Sequence, residues 1–270
     1  MSKVISLQEA AARIHDGDIL GLGGNVLHRA PMAMVRELVR QNKRKLKLVK
    51  TAGAMDVDML CFGGCVSSVD AGFISYESEY SLAGHYRKAV ESGTVKGNEH
   101  ACYTVISALR AASYGVGFMP VKGMVISDLI DANDYFIRVE DPFTREPVTV
   151  VRAIRPDVAV IHVQEADEEG NARITGPLFE DVLFSRAARR VILTTENIVR
   201  ASAFTGSLQK ADIPHFLVEA VVRVPKGAVP CSCPGSYDID RRNLKKFKEL
   251  KDLEGLREYL KAFEKSDYKG

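Results

Sequence analysis

The 270-residue sequence predicts an α/β fold, a mostly parallel sheet with helices on both faces. Three observations carry that expectation. Short apolar, β-branched runs alternate with stretches of helical periodicity over roughly the first 220 residues. The clearest run, Asp157-Val158-Ala159-Val160-Ile161-His162-Val163, is apolar at both odd and even positions, as a strand covered on both faces must be. A glycine-rich turn, Gly21-Leu22-Gly23-Gly24, separates the first strand from the helix that follows it.

Taken in order, Leu7 to His15 has helical spacing behind Ser6, an N-cap with Glu9 three residues on. Asp16-Gly17 stops it. Asp18 to Leu22 reads as a buried strand, and Pro31 opens a helix to about Gln41, because its fixed φ suits a first turn. Leu46 to Val49 is the next strand and Val66 to Phe73 another; Tyr80 to Glu91 and Cys102 to Ser113 read as helices. An irregular insert occupies about 120–150 and ends in the β-branched run Val148 to Val151. After the Asp157 strand, Asp167 to Asn171 is a turn, Asp181 to Arg189 a helix, and Val191 to Thr195 and Val218 to Val224 strands. The tail from Asn243 to Phe263 reads as one amphipathic helix. With no Ser/Gly/Pro linker and no internal repeat, the expectation is one domain over 1–240, with 241–270 packing on it or on a partner.

Apolar residues make up 46% and charged residues 27%, ample for a buried core, and the net charge of +2 gives no field that argues for nucleic acid. The last thirty residues hold ten basic and six acidic side chains, a weakly basic tail. The N-terminus turns polar too soon for a secretory segment, and no apolar run reaches the ~20 residues of a membrane span. The five cysteines show no CxxC spacing. Reduced thiols and a cytoplasmic location are expected. Cys231-Ser232-Cys233 lacks the further ligands a metal needs, so no metal is assigned.

The glycine turn stands where backbone N–H groups meet anions or developing oxyanions, although it is neither GxGxxG nor a P-loop; a purely structural turn is the alternative. Arg29 beside it suits a substrate carboxylate in two-point fashion, or is a solvated helix-start arginine. Glu77 and Ser78 follow a strand, where α/β sheets place ligand-facing loops; a helix start rich in acids and caps explains them too. Asn98-Glu99-His100 offers a Glu–His acid/base pair, or a capped helix start. His28 reads as a surface polar residue, His162 as a satisfied core histidine, and the basic run from Arg40 to Lys50 as a solvated loop.

The stretch Asp16-Gly17-Asp18-Ile19-Leu20-Gly21-Leu22-Gly23-Gly24-Asn25-Val26-Leu27-His28-Arg29-Ala30-Pro31 resembles the first motif of the family I coenzyme A transferases: Asp-Gly, an apolar run, Gly-Gly-Phe, and a proline seven residues after the second glycine. Asn25 replaces the aromatic, and Gly21 interrupts the apolar run. The Gly-Gly-(x)4-Arg-x-Pro form is similar to α subunits of the glutaconate CoA-transferase branch. So are Asp141-Pro142-Phe143, Pro156 to Asp167, Phe179-Glu180-Asp181-Val182, Pro225-Lys226-Gly227-Ala228 and Tyr237-Asp238, together covering most of 3–240.

The resemblance implies the CoA-transferase fold, and an α subunit that shares its active site with a β subunit in an (αβ)2 assembly. In the family, the acyl-CoA thioester is attacked by a glutamate within a Ser-Glu-Asn-Gly motif of the β subunit. Thr194-Thr195-Glu196-Asn197-Ile198 looks like that motif but lacks the closing glycine, so Glu196 is read as structural, at a polar helix start. Coenzyme A and acyl-CoA then enter as substrates, with no permanently bound cofactor. The expected function is acyl-CoA:carboxylate CoA transfer of dicarboxylate or keto-acid type. This chain would line the site with Gly23, Gly24, Asn25, Arg29 and Ser78, and with Glu77 and Glu99 as its carboxylates. A ring-opening CoA-thioester hydrolase of the same fold is the alternative, and a non-catalytic effector-binding protein ranks last.

Overall fold

The computed structural model describes residues 2–124, 127–204 and 210–269. Its strands are β1 (Ile19–Leu22), β2 (Leu46–Gly53), β3 (Val66–Ile74), β4 (Lys96–Glu99), β5 (Phe118–Val121), β6 (Phe136–Glu140), β7 (Pro147–Arg152), β8 (Val158–Asp167), β9 (Ala172–Arg173), β10 (Val191–Val199) and β11 (Val218–Arg223). The helices are α1 (Leu7–Ala12), α2 (Met32–Arg40), α3 (Met55–Phe62), α4 (Glu77–Tyr80), α5 (Gly84–Glu91), α6 (Cys102–Ser113), α7 (Leu129–Ala132), α8 (Asp181–Ala187), α9 (Arg241–Lys248) and α10 (Leu253–Asp267).

The main sheet runs β11-β10-β8-β1-β2-β3-β4, with parallel pairing throughout and β9 hairpinned antiparallel onto β8. The chain builds outward from β1 to β4, then returns to place β8 on the other side of β1. Both faces are covered, and β8 shows why its first four residues, Val158 to Ile161, are apolar without a break. Val158 and Val160 join the core on one face with α1, α2 and α3, whereas Ala159, Ile161 and Val163 join the core on the other with α6 and α8. Each large aliphatic side chain so buried contributes about 1.5–3 kcal/mol.

The caps explain where helices start. Ser6 Oγ accepts from Glu9 N–H (3.2 Å) while the Glu9 carboxylate accepts from Ser6 N–H (2.9 Å), the reciprocal box read from the sequence. Four expectations change. The helix expected over 80–91 starts only at Gly84, as α5; Tyr80 ends the separate short helix α4, and Ser81 between them has a φ of +65° that no helix continues through. The tail is also two helices, because Asp252 caps Gly255 N–H (2.8 Å) and starts α10 afresh. The insert near 120–150 contains a three-stranded antiparallel sheet, β5-β7-β6, with Val148 to Val151 in its central strand. Lys50, counted with a solvated loop, is fully buried in β2, ion-paired to Asp56 at 3.0 Å.

The two tail helices lie on the body, burying Leu244, Phe247, Leu256, Tyr259, Leu260 and Phe263 in the first core. Asp267 locks them there: Arg36 reaches it through two bonds (2.8 and 2.5 Å), and Arg40 through a third (2.8 Å). Among the described residues, no helix is long and apolar enough to cross a membrane.

Candidate functional site

Strand order reverses between β1 and β8, so the crevice beyond their carboxyl ends is where an open parallel sheet receives ligands. The Gly23-Gly24 turn fills its floor. Gly23 N–H donates to Val160 O (2.8 Å) and Gly24 N–H to Asp181 Oδ1 (2.6 Å), while Asn25 and Val26 N–H go to His28 O and Ala52 O. The N–H groups expected to meet an anion are therefore all spent inside the chain. The glycines are required by space instead. A Cβ on Gly23 would stand 2.5 Å from Asp181 Oδ1; one on Gly24, at φ +71°, would stand 2.5 Å from the Arg29 carbonyl.

Arg29, expected as a carboxylate clamp, is corrected by its surroundings. It is fully buried, and its Nη1 lies 2.5 Å from Asp181 Oδ2, with further bonds to His162 O (3.3 Å) and Pro177 O (2.5 Å). Its guanidinium holds the turn to the loop before α8 and has no face left for a substrate. Phe179 in that loop packs over it, 5.2 Å from ring centroid to guanidinium carbon.

Backbone strain collects around this crevice. Among the described residues, Val26, Arg29, Glu77, Ser81, Phe179 and Lys226 adopt left-handed φ between +46° and +65°, and all lie past the carboxyl ends of β1, β3, β8 or β11. Such residues cost of order 1–3 kcal/mol each, and they persist where surrounding structure over-determines them, characteristically at functional sites. Glu77 and Ser78 are exposed on this rim, and the Glu77 side chain has no ion pair or hydrogen bond among the described residues.

Glu196 is the opposite case. It belongs to β10, not to a helix start, and its carboxylate accepts from His162 Nε2 (2.8 Å), Tyr237 Oη–H (2.6 Å) and Lys226 N–H (2.7 Å). Burial disfavours its charge, but those bonds outweigh burial and hold its pKa below the ordinary value. The Tyr237 phenol is driven up by burial and the facing Glu196, so it stays a donor. His162, also bonded to Thr194 Oγ1 (2.9 Å), is the satisfied core histidine expected. Cys233 brings a third metal-type ligand atom within 4.8 Å of those of His162 and Glu196. A metal fits this trio poorly, because the histidine and carboxylate already serve each other and burial lifts the thiol to about 11.

Glu99 ends β4, the edge strand, and the pairing with His100 does not form: His100 turns to Asp70 (3.3 Å) and Thr104 (3.3 Å), buried against Tyr135. The sequence reading missed one pair. His28 Nδ1 lies 2.7 Å from Ser232 Oγ, and both line an open pocket of about 480 Å³ with Pro234, Gly235, Ser236, Tyr237 and Asp238. A separation of 204 residues hides that contact from any local pattern.

The chain matches the model of the coenzyme A transferase family over residues 4–224. It is 33% identical to the α subunit of glutaconate CoA-transferase from Acidaminococcus fermentans, covering 93% of this chain and 83% of that one. The cholesterol ring-cleaving hydrolase IpdA subunit of Rhodococcus jostii is 30% identical, over 89% of this chain and 84% of that one. The chain spans 59% of the length of an uncharacterised protein of Archaeoglobus fulgidus, to which it is 35% identical over 97% of its own length. In solved structures it superposes on a variant of the decarboxylase AibA/AibB (TM-score 0.87, 37% identity, 97% of this chain and 99% of that one). It also superposes on the Acidaminococcus fermentans glutaconate CoA-transferase (TM-score 0.89, 30% identity, 99% and 94%). With its Gly-Gly turn at the switch point, the chain belongs to the family I coenzyme A transferases and is of their α-subunit type.

Proposed function

We propose that this chain is the α subunit of an acyl-CoA:carboxylate CoA-transferase of dicarboxylate or keto-acid type, and that a partner of β type supplies the nucleophilic glutamate. The observation that carries this is the state of Glu196. The one glutamate set in a nucleophile-like motif is buried, and three of the four acceptor positions of its carboxylate are taken by His162, Tyr237 and Lys226 of this same chain. Glu77 and Ser78, past the carboxyl end of β3 and two strands from β1, are by contrast exposed and support a place on the substrate side. The likeness to the α subunit of a glutaconate CoA-transferase supports the substrate class.

In this reading the partner's carboxylate oxygen bonds to the acyl carbon of acyl-CoA and the C–S bond breaks, giving a mixed anhydride and CoA thiolate. The thiolate then attacks the glutamyl carbonyl and releases the acid, leaving a glutamyl-CoA thioester for the acceptor acid to reverse the sequence. A carboxylate is a weak nucleophile in water, so the site must be desolvated by the two chains closing over it. This chain supplies the rigid floor, Gly23 to Asn25, and the Ser78 hydroxyl as a donor on the rim. Glu77 orients the substrate there; Glu99, three strands from β1, is the less favoured carboxylate.

Ring-opening hydrolysis is the second reading, favoured by the exposed Glu77 carboxylate, which has no partner among the described residues and is placed to take a proton from water, and by the IpdA likeness. The partner chain separates the two. Co-purified complex that exchanges labelled CoA between glutaryl-CoA and acetate, with a Ser-Glu-Asn-Gly sequence in its partner, supports transfer. CoA release without an acceptor acid, and a partner lacking that glutamate, overturns it.

A further inference from the structure

Since Arg29 is closed to substrate, the substrate's own charge must be met elsewhere on this wall. His28 follows the glycine turn directly and stands between Asn25 and the buried Arg29. Its backbone is pinned on two sides: His28 N–H donates to Asn25 O (2.8 Å), and the next residue's N–H donates to Ser232 O (2.7 Å). Ser232 N–H returns a bond to Leu27 O (2.9 Å), so the two segments run as a short parallel bridge. The imidazole stacks near Phe179 (6.4 Å between centroids, 22° between planes). It is a fixed ring on the wall of an open pocket.

The tautomer follows from that fixing. Ser232 Oγ lies 2.7 Å from Nδ1 and 3.4 Å from Leu27 O. If the hydroxyl donates to Nδ1, the neutral ring carries its proton on Nε2. If the hydroxyl donated to Leu27 O instead, it would accept from Nδ1–H, and Nε2 of the neutral ring would be an acceptor. The 2.7 Å contact with Nδ1, against 3.4 Å to Leu27 O, favours the first arrangement, which leaves Nε2–H as a donor with no partner among the described residues, in a pocket that Ser236, Tyr237 and Asp238 also line.

We propose that His28, held by Ser232, is the specificity-determining residue that binds the remote, non-reacting carboxylate of a dicarboxylic acid. The inference rests on the CoA-transfer reading and deepens it. The reacting carboxyl must meet a nucleophile on the partner, across the rim, so the pocket inside this chain is left to read the other end of the molecule. A hydrogen bond from a fixed imidazole to a carboxylate is charge-assisted and selects an acid with a second carboxylate over one without.

The test uses the assembled complex with ¹³C-labelled histidine in this chain alone, titrated with glutarate and with butyrate, which lacks the second carboxylate. The cross-peak that disappears in His28→Gln is that of His28. It is expected to move with glutarate and stay still with butyrate, and Ser232→Ala is expected to weaken glutarate binding about 5-fold, His28→Gln about 10-fold or more. An unmoved His28 signal, or equal responses to the two acids, overturns the proposal, and His28→Gln has only to fold well enough to assign that one signal. Because the titration reads binding and not turnover, glutarate bound through His28 in a complex that transfers no CoA would sink the functional reading alone. CoA transfer with an unmoved His28 would sink this inference alone.

Discussion

Asp181 bridges a backbone and a charge: one carboxylate oxygen accepts from Gly24 N–H at 2.6 Å, and the other lies 2.5 Å from Arg29 Nη1, with both side chains wholly buried. The glycine turn, the feature of this wall that looks most chemical in the sequence, is therefore held from beneath by an ion pair. Asp181→Ala should strand the Arg29 charge in the interior and cost about 3–5 kcal/mol, read as a lower midpoint in urea unfolding. Asp181→Asn keeps an acceptor for Gly24 N–H and should lose distinctly less. Equal losses would show that the Asp181 charge, which both variants remove, carries the whole effect and that the neutral acceptor for Gly24 N–H adds nothing.

Gly24 has no room for any side chain. At φ +71°, with the Arg29 carbonyl 2.5 Å from the position of a Cβ, Gly24→Ala should already disturb the turn, and Gly24→Val should prevent the chain from folding to a soluble, cooperatively melting form. A Gly24→Val chain that melts like wild type but lacks activity would return the turn to the chemistry.

The alternation of strands and helices was legible because the unbroken apolar run of β8 and the Ser6–Glu9 box are each written within a few consecutive residues. What eluded the sequence was long-range. Arg29 and Asp181 stand 152 positions apart, and only the crossover that brings α8 over β1 makes them a pair. The helix read over 80–91 failed for a local reason, since nothing in Ser81-Leu82-Ala83 announces the left-handed turn that splits it. Glu196 was mistaken in place, since it lies within β10 and not at a helix start.

Glu196→Gln tests whether that residue is structural. A carboxamide has one oxygen where three donors converge, so at least one bond is lost and the chain should lose about 1–3 kcal/mol. Turnover of the assembled complex should stay within a few-fold of wild type. Loss of all CoA transfer in a variant that still melts cooperatively would promote Glu196 to the chemistry.

Glu77 makes the complementary case. It is exposed and has no partner among the described residues, so Glu77→Gln should leave the stability of the chain unchanged within about 0.5 kcal/mol. Activity of the complex should fall by about 10²-fold, the range of a group acting on substrate, while Glu99→Gln should change little. Comparable losses from both would show that neither reports on the crevice at the switch point.

Asp58 gives the fold a pH dependence of definite sign. It is buried in α3, accepting from Tyr76 Oη–H (2.9 Å) and Tyr86 N–H (2.7 Å), and burial, only partly opposed by those bonds, pushes its carboxyl up to about 6 from 3.8. A carboxyl raised on folding favours its neutral form, so its contribution is complete below about pH 4 and is lost as the pH climbs through about 6. Asp58→Asn removes the titration while keeping an acceptor for Tyr86 N–H. The stability of wild type relative to Asp58→Asn should therefore fall between pH 4 and pH 7.5 by about 3 kcal/mol, the equivalent of a two-unit shift. Comparing the two proteins cancels every other titrating group, so a difference that is flat across this range would mean that Asp58 is already ionised in the fold at acidic pH.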